Sequence, residues 1–155
     1  MTSTTYICSA GHSGSTLLDM ILGAHPKIGS LGEIMMLPSE LDLSGKCSCG
    51  ESVKDCDIWK QITEEFSTVT NTDTHNHPEQ LFLGHIHTAV HSPSFMNRKY
   101  KAQRFLLSAL RFGNLRYRLP IPKSVFNSFQ LVTSNSLTIF QLARKAMNKS
   151  IVVDS

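Results

Sequence analysis

From Gln80 to Val153 the chain has no aspartate and no glutamate. That gap splits the charge. Residues 1–79 hold 11 acids against 4 bases, a net of −7, and residues 80–155 hold 1 acid against 11 bases, a net of +10. Long apolar runs are also missing, and none approaches the roughly 18 residues of a membrane-spanning helix. At the N-terminus no basic residue precedes an apolar stretch, so no signal peptide is legible and a cytoplasmic location is expected. Charged residues make up 17% and apolar ones 41%, a balance that excludes a disordered chain. The 155 residues suffice for one domain with a real core. Repeats and low-complexity tracts are absent.

The basic half contains Arg98, Lys99, Lys101, Arg104, Arg111, Arg116, Arg118 and Lys123. Such a block can attract an anionic partner, or it can be an ordinary solvated face. No nucleic-acid-binding motif accompanies it, so nucleic acid is not an expected partner. The oligomeric state is not legible. His75, His77, His85, His87 and His91 form a loose set. No glutamate stands among them in a metalloprotease order, and exposed histidines are the expectation.

What the chain does have is concentrated at its start. Tyr6-Ile7-Cys8 suits a short buried strand, Ala10–Ser15 is a small-residue loop, and Leu17, Leu18, Ile21 and Leu22 recur at helical spacing. Gly11 and Gly14 permit backbone angles and close approaches that a side chain forbids. A strand turning through such a loop into a helix aims free N–H groups and the helix dipole at one point, where an anion can bind. The Gly-Lys-Ser/Thr ending of a Walker A loop is missing, and His12 stands near its place. A strand–helix turn without a ligand is the plain alternative.

His12-Ser13-Gly14-Ser15-Thr16-Leu17-Leu18, then His25-Pro26, then Ser30-Leu31-Gly32-Glu33, resembles the N-terminal signature of sulfotransferases that use 3′-phosphoadenosine 5′-phosphosulfate (PAPS). Ser150-Ile151-Val152-Val153-Asp154-Ser155 is similar to that family's second core strand. The resemblance implies a P-loop-like, three-layer α/β/α fold with a parallel sheet. It implies a 5′-phosphosulfate loop over residues 9–17, a variable helical acceptor-side region over about 40–130, and a core strand over 150–154. The implied activity moves a sulfuryl group from PAPS to a hydroxyl or amine, with no metal required. Gly11, His12, Ser13, Gly14, Ser15 and Thr16 would bind the co-substrate. The family's general base falls on Glu33. His12 stands where many members have Lys or Arg to ease charge on the leaving group, and only a protonated His12 can do the same.

Read from the residues alone, Glu33 ends the second strand at the sheet edge where α/β proteins place ligands, and a carboxylate there can accept a proton. The alternative is a glutamate capping the next helix. Two other classes of function remain: a P-loop kinase-like phosphotransferase, in which Asp154 would serve as the metal-holding aspartate, and a non-catalytic nucleotide- or anion-binding module. Because the chain stops just after a strand-like run, the expectation is an N-terminal fragment, incomplete at its C-terminus.

Cys47-Ser48-Cys49-Gly50 and Cys56 form a second cluster. The Cys-x-Cys-Gly…Cys-x-x-Trp pattern also occurs in some bacterial members of the resembling family. Free thiols in a tight turn, a metal site and a disulfide all remain open; a closed zinc site wants four ligands, and Cys8 on the core strand is a poor fourth. The expected elements are a strand over Thr4–Ser9, a helix over Thr16–Gly23 and a strand over Lys27–Leu31. A helix over Ile58–Phe66 should bury Trp59 and Ile62. Thr68–His77 should be a loop, with helices over Gln80–Val90 and Lys101–Phe112. Leu119-Pro120-Ile121-Pro122 should break the chain. One or two helices over Val125–Asn148 then lead into a strand over Ser150–Asp154.

Overall fold

Val152 and Val153 are shielded completely from solvent because their strand lies in the middle of the sheet. The structure is a computed structural model and describes residues 3–7, 14–83 and 123–155. Within them, β1 (Ser3–Tyr6), β2 (Ile28–Ser30) and β3 (Ile151–Asp154) form a parallel sheet in the order β1-β3-β2. Ser3 lies opposite Ile151 and Tyr6 opposite Asp154; on the other side Ile28 pairs with Ile151 and Ser30 with Val153. The pairing runs past the strand ends, through Ile7 N–H to Asp154 O (2.8 Å), Leu31 N–H to Val153 O (2.9 Å) and Ser155 N–H to Gly32 O (3.0 Å).

Four α-helices are described: α1 (Ser15–Gly23), α2 (Leu37–Asp42), α3 (Asp57–Thr70) and α4 (Lys123–Ala146). A 3-10 turn, Ile34–Met36, runs directly into α2. The architecture is therefore α/β with a small parallel sheet, as the sequence pattern indicates. Parallel strands need crossover connections: α1 lies between β1 and β2, and α2, α3 and α4 lie between β2 and β3.

The core lies where α3 and α4 meet. Ile62 and Phe66 of α3 and Ile139 and Ala143 of α4 are fully buried, with Trp59 beside them. Their spacing of three and four residues lines up one face of each helix. Thr74 is buried too; its hydroxyl lies 2.6 Å from Ser67 Oγ and donates to Thr63 O at 3.2 Å, closing the chain back onto α3. On the surface, Lys145 Nζ pairs with Glu65 at 2.8 Å.

Several expectations need correction. Strand one is at an edge among the described residues, so Tyr6 is 58% exposed rather than buried. The third helix runs on to Thr70, into the stretch read as a loop from Thr68. Over Gln80–Val90 the described part is no α-helix. It is a 3-10 turn, Pro78–Leu81, stopped by Phe82 in the left-handed region (φ 46°). Asn135 Nδ2 on α4 donates to Leu81 O at 2.8 Å and takes the carbonyl a continuing helix would have used, while Leu81 is fully buried in the core. Over Val125–Asn148 the chain is one continuous helix as far as Ala146, and Asn148 in the left-handed region (φ 51°) follows its end. The expected helix Lys101–Phe112, the Leu119–Pro122 break, Cys8, His85, His87, His91 and the bases from Arg98 to Arg118 lie outside the described residues.

Candidate functional site

The carboxyl ends of β2 and β3 carry the chemistry. After Ser30 the chain passes Leu31 and reaches Gly32, whose φ of +65° is the left-handed conformation that glycine adopts without strain. That turn leaves Glu33 exposed, with extended angles (φ −93°, ψ 90°), at the start of the 3-10 turn. Its backbone carbonyl accepts Met36 N–H at 2.9 Å, but its carboxylate makes no capping bond. The capping role is filled from elsewhere: Asp154 Oδ1, at the end of β3, accepts Ile34 N–H at 2.9 Å. Asp154 thus pins the segment that presents Glu33.

Asp154 is only 4% exposed, and burial pushes its carboxyl up to about 6; the N–H of Ile34 opposes this, and the charges of Asp19 and Glu33 add to the rise. Asp19 of α1 is equally buried. Its Oδ2 accepts the Ser30 hydroxyl, and its Oδ1 is a buried oxygen without a hydrogen-bond partner. Three carboxylates therefore converge on one edge of the sheet, two buried and one open.

Glu33, Asp19 and Ser30 line a cavity of about 550 Å³. Lys46, Trp59 and the three cysteines Cys47, Cys49 and Cys56 line the same cavity. Cys47 Sγ and Cys56 Sγ stand 3.6 Å apart, and all three sulfurs lie within 4.8 Å of one another. A disulfide bond length is near 2.05 Å, so these are free thiols. Burial pushes the Cys47 thiol up, but hydrogen bonds from the Cys49 amide and from the Cys49, Cys56 and Ser48 side chains outweigh it and leave Cys47 below its ordinary value. Burial also raises Cys56; the Trp59 and Ile58 amides work against that rise without cancelling it. Among the described residues this is the one cluster able to hold a metal ion, while His75 and His77 are exposed and His77 pairs with Glu79.

The loop is described only from Gly14 onward. Gly14 is the N-cap of α1 with φ +85°, and a Cβ built there would meet nothing within 4 Å. The helical ladder starts with Leu18 N–H to Gly14 O (3.0 Å), so the amides of Ser15, Thr16 and Leu17 have no partner within the helix. Unpaired amides at such a helix end are groups that an anion can meet. Gly11, His12 and Ser13 lie outside the described residues. Gly14, Ser15 and Thr16 do not line the cavity that holds Glu33; Asp19, about 6 Å further along the helix axis, does.

Sequence reasoning named Glu33 and Gly14 but overlooked Asp19 and Ser30. The signal was present in Leu17-Leu18-Asp19-Met20-Ile21, where a lone acid interrupts an apolar run. No family model matches the chain, and no curated protein or solved structure matches it either.

Proposed function

We propose that the chain carries the N-terminal part of a PAPS-dependent sulfotransferase of P-loop-like fold, acting on a hydroxyl or amine. The observation that carries this reading is Glu33: an exposed carboxylate at the carboxyl edge of a parallel sheet, on a cavity of about 550 Å³, its support supplied by Asp154 rather than by a capping bond of its own. The strand order supports the fold assignment, since right-handed crossovers in a β1-β3-β2 sheet would put α1 and α4 on opposite faces, as three layers require.

In this scheme the acceptor enters the cavity beside Glu33, which takes its proton as the new bond to sulfur forms. The bond from sulfur to the departing phosphate oxygen breaks in line. The amides of Ser15 and Thr16 and the loop through Gly11, His12, Ser13 and Gly14 hold the anionic end, and a protonated His12 stabilises the charge left on the phosphate. The acidic edge around Asp19 and Asp154 suits an acceptor that is neutral or cationic.

Glu33→Gln keeps shape and reach but loses the proton acceptor. Turnover should fall about 10²–10⁴-fold with the melting temperature nearly unchanged. The test is PAPS-dependent sulfation of a panel of hydroxyl and amine acceptors, run beside thermal melts. Near-wild-type turnover in the variant would remove Glu33 from the chemistry.

A kinase-like phosphotransfer has one observation in its favour. Asp154 ends the strand next to β1, where a metal-holding aspartate is wanted. Its carboxyl is buried and already committed to Ile34 N–H, which suits an anchor better than a metal ligand.

A further inference from the structure

The cysteine turn is built in a way that the transfer scheme does not use. Cys47 N–H donates to Glu51 O at 2.8 Å, and Gly50 N–H returns to Cys47 O at 2.9 Å. Gly50 makes this possible with φ +98°, and a bridge between Lys46 and Ser52 closes the base of the turn. Cys56 N–H donates to Ser52 O at 2.9 Å, tying the third cysteine to the same turn. Cys56 is also the N-cap of the 14-residue α3, where the helix dipole favours negative charge.

We propose that Cys47, Cys49 and Cys56 form a three-thiolate site for zinc, with a fourth position facing the cavity beside Glu33. Sulfurs bound tetrahedrally at about 2.3 Å from zinc lie about 3.8 Å from one another. The Cys47–Cys56 separation is 3.6 Å, and no pair in the cluster exceeds 4.8 Å, so small rotations of the side chains close the site. Backbone N–H groups already point at the sulfurs, from Cys49 to Cys47 and from Trp59 and Ile58 to Cys56. Such outer hydrogen bonds stabilise thiolates and orient them toward a metal. On binding, each thiol releases its proton to solvent and each sulfur donates a lone pair to the cation; no redox step is involved. Three thiolates and Zn²⁺ leave one net negative charge, and Lys46 lies on the wall of the same cavity. The three cysteines line that cavity, so a water or a ligand atom can complete the tetrahedron.

The test is a Co²⁺ titration of the full chain under anaerobic reducing conditions, followed by displacement with Zn²⁺ against a chromophoric chelator. The expected result is one equivalent of metal, a near-ultraviolet thiolate-to-cobalt charge-transfer band, and loss of that band on adding Zn²⁺. Cys49→Ser is the decisive variant because Cys49 is exposed and its loss does not threaten the core. It should weaken Zn²⁺ binding by at least about 100-fold, since changes that only disturb a metal's outer partners already cost 10–100-fold. Absence of the charge-transfer band in the wild type would overturn the proposal. So would Zn²⁺ affinity in Cys49→Ser equal to that of the wild type. Recovery of a Cys47–Cys56 disulfide from anaerobically purified, metal-supplemented protein would overturn it in favour of a redox pair.

Discussion

Helices α1 and α3 look alike as sequences and behave oppositely in the fold. Both carry apolar residues at helical spacing. In α3 that stripe faces inward: Trp59, Ile62 and Phe66 are buried, while Lys60, Gln61 and Glu64 face solvent. In α1 it faces outward among the described residues, with Leu17, Met20 and Ile21 each more than 60% exposed and the buried position taken by Asp19. The difference comes from what each helix meets. Helix α3 packs on another apolar helix, α4, where burial of large side chains governs the rotation. Helix α1 lies against β2 at close range: a Cβ on Gly23 would come within 2.7 Å of Ser30 Cβ, and the Ser30 hydroxyl bonds Asp19. A glycine contact and one polar bond set its rotation, and the apolar stripe follows.

The contrast is most severely tested in α3. Phe66→Ala removes a fully buried ring and should destabilise the protein by about 3–5 kcal/mol, read by chemical denaturation. A loss under about 1 kcal/mol would mean that the α3–α4 seam is not the main core.

At the acidic edge the sensitive quantity is pH. The Asp154 carboxyl, pushed up to about 6 from an ordinary 3.8, holds its proton more tightly in the folded state than in the unfolded one. Its contribution is therefore complete below about pH 4 and is lost as the pH rises through 6, costing up to roughly 3 kcal/mol. Asp154→Asn stays neutral throughout and can still offer an oxygen to Ile34 N–H. Measured from pH 4 to 7, the stability difference between wild type and variant should shift in the variant's favour as pH rises. Parallel curves would show that burial does not raise this carboxyl in the folded protein.

The smallest effect belongs to the outer face of α1. Leu17→Ser should change the melting free energy by no more than about 0.5 kcal/mol. A loss above 1 kcal/mol would mean that this stripe is covered in the protein and that the two helices differ less than they appear to.

Much of the candidate site was legible because it rests on local chemistry. Gly14 needs a left-handed turn before a helix, and Gly32 needs one before Glu33; both requirements can be read from residue type and neighbours. Ile151-Val152-Val153 is an unbroken β-branched run, the pattern of a strand buried in a parallel sheet. Asp19 was legible only as a lone acid in an apolar run; its partner, Ser30, is 11 residues away on another element. At the described start of the stretch expected to be helical over Gln80–Val90 the reason is similar: Asn135, 54 residues on, takes the Leu81 carbonyl.

Short-range steric rules are written into neighbouring residues, so α1, most of α3 and the turn at Gly14 follow from them, while α2 went unread. Which face of a helix turns inward depends on surfaces that meet only after the chain has folded. So does the gathering of Cys47, Cys49 and Cys56 with Glu33 around one cavity, which requires the turn before α3 to close over the end of β2. Periodicity specifies a stripe, and the free energy of burying it is realised against whichever partner the fold supplies.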